Sequence, residues 1–534
     1  MSFLDQINAL TAGQPECNVN PGREGLIKLA VERREAFLAA NGALATWTLP
    51  ESTGRSPADT HIVRHPESED KIDWGPINHP LDPEIFEMLK QDALKMLGES
   101  DAVFETNRYL SADGTYSLHV RTVTDSVLTA FFTLNMFRAK PEGHEKGVFA
   151  GKPFTLVALP NRKLDAKKYL GKLRDVSTDM AIAMDFDRRE VIIIGNAYMG
   201  SVKKSLFTVM NYILPNEGIL PLHCSANEGK KGDIAMFLGL SGTGKTTISS
   251  DPNRALLGDD EFGWGANGVF NFENGCYAKC INLDPVKEAQ IFKAIRHGAI
   301  VENAMMYPDG RFDFYDNRLT ENSRASYLLE AIGNVKISAV GGHPEKIIFL
   351  TADASGVLPP VARLTREQAM LQFMMGYTSK LAGTETGITE PQSTFSAFFG
   401  APFMPLKPDA YAGLLGEYTD RYGTQVYLVN TGWSGGPYGT GERMDLNLTR
   451  RIVTAVLEGE LDDVQYRENE RFHLQVPLTC PDVDAKTLDP KTTWPDPSKY
   501  EPQADKLAAD FRKTFEKKYL GRVPDAIAAQ CPGR

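Results

Sequence analysis

The sequence predicts an α/β protein of two domains built around a phosphate-binding loop, and three observations predict it. The stretch from Asp233 to Ser249, DIAMFLGLSGTGKTTIS, sets Gly239, Gly244, Lys245 and Thr246 at P-loop spacing behind an apolar run. Two aspartates, Asp259 and Asp260, follow within GDDE. Strand-length apolar runs and helix-length amphipathic segments mix through both halves of the chain.

In chain order, helical patterning covers Gly25 to Ala40 and Pro83 to Leu97. Strand-like runs follow at Ser117 to Val123, Phe154 to Ala158 and Glu190 to Ile194. The last leads into a segment where Ser201 can cap a helix with Leu206, Val209, Met210 and Ile213 on its apolar face. Asn216-Glu217-Gly218 then breaks the chain, which predicts domains 1–218 and 219–534.

Ile234 to Leu238 reads as a buried strand that aims the phosphate loop. Backbone N–H groups from Leu240, Ser241, Gly242, Thr243 and Gly244 can point at phosphate oxygens, and the next helix adds the positive end of its dipole. Lys245 can reach the outer phosphates, the Thr246 hydroxyl can ligate magnesium, and Thr247 closes the stretch. Ala255 to Leu257 is a short strand that delivers Asp259 and Asp260. Asp260 stands fifteen residues after Lys245, with Asp251-Pro252-Asn253 as the turn between them. An ordinary parallel β-helix-β unit takes roughly 30 residues, so only about two helical turns fit here. That spacing argues against the usual motor ATPase or small-kinase layout. Further on, Lys346 to Ala352 and Tyr427 to Thr431 read as strands and Arg366 to Leu381 as a helix. Ala382 to Gly400 is rich in Gly, Thr and Ser without helical period, the composition of a surface loop or a mobile lid.

At 534 residues the chain can bury two substantial cores. A net charge of −11 with no lysine/arginine block disfavours nucleic acid as a partner. The N-terminus lacks the basic-then-apolar plan of a signal peptide, and no apolar run reaches membrane-spanning length. Six scattered cysteines fit neither a disulfide framework nor a zinc site and suggest free thiols in the cytoplasm.

The run HCSANEGKKGDIAMFLGLSGTGKTT, followed by GDDE, GCYAK, TENSR, GVLPP, KLAGTE, GITEP and VNTGW, resembles the ATP-dependent phosphoenolpyruvate carboxykinases. With STGRSPADT near the N-terminus, the resemblance extends from about residue 50 to 455 in one order. It implies that family's two-domain fold, with an atypical P-loop in the C-terminal domain, a substrate-binding N-terminal domain and the active site in the inter-domain cleft. It also implies conversion of oxaloacetate and ATP to phosphoenolpyruvate, CO₂ and ADP through a metal-stabilised enolate. The reaction serves gluconeogenesis, or anaplerotic CO₂ fixation in reverse, in a cytoplasmic monomer or small homo-oligomer.

By motif, the resemblance places one Mn²⁺ on Lys204, His223 and Asp260, and Mg²⁺ with ATP at Thr246. A lysine ligates metal only as the neutral amine, so without the resemblance Lys203 and Lys204 would read as a solvated pair. The resemblance puts Arg55 on the substrate carboxylate and Arg324 between substrate and γ-phosphate. It adds Tyr198 to the substrate/CO₂ pocket and lets Ser241 touch both substrate and phosphates. Base and ribose fall to Lys279, Glu288, Arg443, Met444 and Thr449. The chain departs from the family pattern in a longer SGGPYGT segment before GERM, and in Ser355 and Phe398, where phenylalanine and cysteine are usual.

Two other readings share the phosphate loop. A P-loop kinase of a protein or metabolite hydroxyl, akin to the HPr kinases, needs the loop and acidic pair but neither Arg55 nor the Lys204–His223 pair. A nucleotide-regulated binding protein without turnover needs no metal site at all.

Overall fold

The computed structural model describes residues 3–14, 16–173, 179–240, 242–380 and 391–534. The chain forms two compact units. The first comprises Met1–Asn216, Phe270–Ala339 and Pro402–Leu406, and the second Glu217–Val269, Val340–Ala401 and Lys407–Arg534. The first break falls beside the predicted boundary, but the linear split at 218 does not describe the rest. Residues 270–339 return to the first unit because Ile300–Glu302 pairs in parallel with Leu44–Thr46.

In the first unit an eight-stranded mixed sheet centres on Leu118–Thr124, Phe154–Leu159, Glu190–Ile194 and Ala181–Asp185. Phe154–Leu159, Ala181–Asp185 and Glu190–Ile194 are almost wholly buried and read as largely continuous apolar runs, whereas Leu118–Thr124 alternates buried and half-buried residues over its first four positions. The helix Pro83–Gly98 lays Phe86, Leu89, Ala93 and Leu97 on this sheet against Val103, Val157 and Ile192. A second sheet of five strands runs in the order Gly275–Lys279, Arg324–Leu328, Ile300–Glu302, Leu44–Thr46, Phe37–Leu38. The helix Val127–Met136, capped by Ser126, packs against strands of both sheets and is buried along its whole length.

Two first-half expectations change. The helix expected over Gly25 to Ala40 stops at Glu32, since Arg34 turns left-handed (φ 59°) and Phe37–Leu38 pairs with Leu44–Thr46. Asn41-Gly42, with Gly42 at φ 82°, makes the intervening turn. Ser201 is not a cap. Its helix begins two residues earlier, at Met199, and the buried Ser201 hydroxyl donates to Asn196 Oδ1 at 2.8 Å. Leu206, Val209, Met210 and Ile213 are buried, as expected.

The second unit is built on the central strands of an eleven-stranded sheet. Leu220–Glu228 runs antiparallel to Ile234–Leu238, which is parallel to Pro344–Thr351, itself parallel to Gln425–Asn430. Phe237, Ile348, Leu350, Tyr427 and Val429 meet Ile452 and Val456 of the helix Leu446–Leu457 in its core. The helix Arg366–Met375 opens with a Thr365/Gln368 capping box and ends before Gly376, short of the predicted Leu381. Tyr377–Lys380 then pairs with Gln392–Phe395. Of the segment expected as a lid, 382–400, residues 382–390 lie outside the described residues. The six cysteines are free, five of them buried. Among the described residues no helix is long and apolar enough to cross a membrane.

Gly376 sits at φ 53°, and a Cβ there would lie 1.7 Å from the Ser396 carbonyl oxygen. Gly376→Ala should therefore destabilise the protein by about 2 kcal/mol or more, read as a lower denaturation midpoint in urea.

Candidate active site

The phosphate loop takes its shape from two strands that share one neighbour. Ala255–Gly258 and Glu261–Gly265 both pair antiparallel with Leu220–Glu228, whose other edge carries the loop's own strand, Ile234–Leu238. The return strand is therefore parallel to the loop strand, one position away, which is how so short a connection closes. Asp259 and Asp260 occupy the junction between the two short strands. Their backbone is pinned there, because the Asp260 carbonyl accepts from Cys224 N–H at 3.0 Å and the Asp259 carbonyl from Ser225 Oγ at 2.8 Å. Arg254 closes the turn by bonding Asn227 Oδ1 and the Asp233 carbonyl and pairing with the Asp233 carboxylate, while Asn227 Nδ2 holds the Ser249 carbonyl.

This junction brings predicted residues together. His223 Nε2 lies 2.8 Å from Asp260 Oδ1, and Lys245 Nζ lies 3.6 Å from the same oxygen. His223 Nδ1 is 2.7 Å from the Phe399 carbonyl, an acceptor only, so Nδ1 carries the proton. In the neutral tautomer Nε2 then presents a lone pair to a carboxylate, an approach that requires a proton or a cation between the two atoms. Phe398 and Phe399 hold φ values of 59° and 54° to aim that carbonyl, left-handed conformations that cost non-glycine residues free energy. A Cβ on Gly400 would already press the His223 side chain at 3.2 Å.

Within the loop, Gly242 and Gly244 take φ 90° and 87°, and a Cβ on Gly239 would meet Thr243 Oγ1 at 2.5 Å. The helix that follows, Lys245–Ser249, has five residues and includes Thr246 and Thr247. So short a helix has little macrodipole. Ser241 lies outside the described residues. Leu240 and Thr243 are joined by Thr243 Oγ1 donating to the Leu240 carbonyl, and Thr431 Oγ1 donates to the Thr243 carbonyl at 2.9 Å. Arg443 also braces the loop, through Nη2 to the Gly242 carbonyl at 2.9 Å and Nε to the Thr431 carbonyl at 3.1 Å. Met444 N–H donates to the Gly432 carbonyl. Thr449 is buried in the helix Leu446–Leu457, with its hydroxyl donating to the Asp445 carbonyl at 3.1 Å.

The remaining predicted residues belong to the first unit, Lys279 and Glu288 included, so they do not share a unit with the phosphate loop. Tyr198 is buried just before the helix Met199–Asn216, over Gly200, where a Cβ would lie 2.3 Å from its ring. The two adjacent lysines of that helix differ sharply. Lys203 is 2% exposed and pairs with the equally buried Glu273 at 2.8 Å, whereas Lys204 is half-buried with its Nζ 4.7 Å from both the Phe207 and Phe403 rings. The Arg55 guanidinium also sits 4.7 Å from the Phe403 ring. The aromatic faces help to orient these cations.

Arg324 Nε and Nη2 donate to Asn322 Oδ1 at 3.1 and 2.9 Å, and Asn322 Nδ2 donates to the Thr53 carbonyl, tying Arg324 to the loop that carries Arg55. Lys279 stands directly opposite Arg324 on the neighbouring strand, and burial, helped by that guanidinium, lowers its pKa. Glu288 is half-buried at the start of the helix Ala289–Ala294, with its carboxyl pKa raised by burial. Sequence reasoning missed Asn322, Phe207, Phe403, Thr431, Tyr277 and Glu302. Asn322, Tyr277 and Thr431 lie inside the TENSR, GCYAK and VNTGW motifs and could have been found there; Phe207, Phe403 and Glu302 carry no local signal.

Comparison with known proteins follows the same lines. The family model described as "Phosphoenolpyruvate carboxykinase" matches residues 16–486. A protein of Alkaliphilus oremlandii, "Phosphoenolpyruvate carboxykinase (ATP)", is 48% identical over 495 residues, which is 92% of this chain and 92% of that protein. "Phosphoenolpyruvate carboxykinase (ATP) 1" of Moorella thermoacetica is 48% identical over 515 residues, 96% of each. A Geobacillus kaustophilus protein of the first name is 48% identical over 494 residues, 92% of each.

The neighbouring lysines should separate in stability measurements. Lys203→Met removes the ammonium paired with the buried Glu273 carboxylate and should cost about 3–5 kcal/mol. Lys204→Met should change stability by about 1 kcal/mol or less, both read by urea denaturation.

Proposed function

The chain belongs to the ATP-dependent phosphoenolpyruvate carboxykinase family, carboxy-lyases acting on oxaloacetate, phosphoenolpyruvate, CO₂, ATP and ADP, and we propose how its own residues carry that reaction. The observation that bears most weight is the meeting of His223 Nε2, the Asp260 carboxylate and the Lys245 ammonium at one junction beside the phosphate loop.

Decarboxylation of a β-keto acid leaves its electron pair as an enolate, whose oxygen then attacks the γ-phosphorus while ADP departs. Negative charge must be met at the carboxylate, the enolate oxygen and the transferring phosphoryl group. Arg55 holds the substrate carboxylate, and Tyr198 lines the space that receives CO₂. Arg324, braced by Asn322, spans substrate and γ-phosphate, and the loop amides with Lys245 take the β- and γ-phosphates. Ser241 contacts both substrates from the loop. Lys279, Glu288, Arg443, Met444 and Thr449 take base and ribose. For Arg443 and Thr449 the groups described above are already engaged with the protein's own carbonyls, so nucleotide binding must add to those contacts or exchange them.

The donor set fits divalent metal. With Nδ1 donating to the Phe399 carbonyl, His223 turns Nε2 toward Asp260 Oδ1, and the Lys204 amine is oriented by the Phe207 and Phe403 rings. We assign Mn²⁺ to Lys204, His223 and Asp260, and Mg²⁺ with the nucleotide to Thr246. Such ions, when bound, supply positive charge to the enolate oxygen and the phosphates. The free thiols support a cytoplasmic setting. The kinase reading is not favoured, since the relatives matched over nearly the whole chain carry the carboxykinase name.

With Mn²⁺ and Mg²⁺ present, the protein should make phosphoenolpyruvate from oxaloacetate far faster with ATP than with GTP in a coupled assay. Lys204→Met should lower kcat by about a hundredfold or more while the protein stays folded. Absence of product from folded wild-type protein would sink the assignment.

A further inference from the structure

We propose that Glu302 is a positioning residue for the substrate-binding cations, fixing Arg324 and the head of the helix that bears Lys204 in one arrangement; the proposal rests on the roles assigned to those residues above. Glu302 ends the strand Ile300–Glu302 and is 1% exposed. Both of its oxygens are engaged. Oε1 accepts from Met199 N–H at 3.0 Å, and Oε2 accepts from the Tyr277 hydroxyl. Met199 is the first residue of an eighteen-residue helix, so its N–H has no partner within that helix. A carboxylate there also faces the positive end of the helix dipole.

The strand register links Glu302 to Arg324. Glu302 lies directly opposite Arg324, and Arg324 lies directly opposite Lys279 on its other side. Opposed residues of antiparallel strands share a face of the sheet, so the carboxylate is next in a row to the guanidinium it would orient. Tyr277 completes the link, with its ring 5.8 Å from the Arg324 guanidinium and 5.9 Å from the Tyr198 ring. One buried acid thus joins the strand of Arg324, the ring beside Tyr198 and the helix of Lys204.

The titratable and charged groups facing Glu302 are Tyr277, from Gly275–Lys279, and Arg324, from Arg324–Leu328, with Lys279 beyond it; Leu44–Thr46 contributes Thr46, which does not titrate. Burial pushes the Glu302 carboxyl up to about 7, against the opposing effects of its Tyr277 and Met199 hydrogen bonds and the Arg324 charge. Burial also keeps Tyr277 a protonated donor. Since the folded value lies above the ordinary one, folding favours the neutral acid, and ionisation costs stability as pH rises through about 7. The charge that orients Arg324 is gained over the same interval.

The test uses full-length wild type, Glu302→Gln, which keeps shape and hydrogen-bonding capacity, and Tyr277→Phe, which removes one hydroxyl. At about pH 8, Glu302→Gln should lower kcat/KM for oxaloacetate about tenfold or more and weaken phosphoenolpyruvate binding, by isothermal titration, to a similar degree. Its melting temperature should be no lower than that of wild type. Wild type should show an acid limb near neutrality that vanishes in Glu302→Gln, and Tyr277→Phe should shift in the same direction by a smaller factor. Unchanged kinetics and phosphoenolpyruvate affinity in Glu302→Gln overturn the proposal, as does an activity loss that tracks a fall in melting temperature. Failure of the family reading shows separately, as wild-type protein that makes no phosphoenolpyruvate; the binding comparison still decides the role of Glu302 in that case.

Discussion

The pairing of Leu220–Glu228 with three other strands is the constraint on which the phosphate-binding half of the site depends. One edge of this strand holds the loop strand and the other holds both pieces of the return, so loop, histidine and aspartate are fixed to a single backbone. The ladder keeps one register from Leu220–Trp264 to Ala226–Gly258, straight across Asp259 and Asp260, and its one irregularity lies at Leu257. Asp260 is thereby held level with Cys224, where its carboxylate lies close to His223 Nε2 and Lys245 Nζ.

The first unit handles charge differently. Lys203 is neutralised in the interior by Glu273 and serves packing. Lys204 and Arg55 lie against rings, and Arg324 donates to an amide oxygen, contacts that set the direction of each cation. Burial lowers the Lys279 pKa, and the Arg324 guanidinium opposite it adds to the shift.

Much of this was legible in the sequence where local chemistry dictates local shape. Gly242 and Gly244 announce a loop that needs positive φ, and the spacing to Asp260 announces a short return. Burial of the continuous apolar strands follows from their composition. Tertiary partners were not legible. Whether Lys203 or Lys204 is the structural lysine depends on Glu273, some seventy residues later, and Glu302 has meaning only through a register set by strand pairing. The helix over Gly25 to Ala40 failed for a local reason, since a hairpin won the segment after Glu32.

The return of residues 270–339 to the first unit also bears on how the chain acquires its structure. A nascent chain that has emerged as far as residue 218 holds Leu44–Thr46 with one edge paired to Phe37–Leu38 and the other waiting for Ile300–Glu302. The first unit therefore cannot finish folding as a contiguous N-terminal piece. Synthesis must pass through the phosphate-loop region before the five-stranded sheet is complete, and the open edge is exposed to wrong partners throughout that interval. Half-synthesised chains are thus the form in which this protein is most in need of protection.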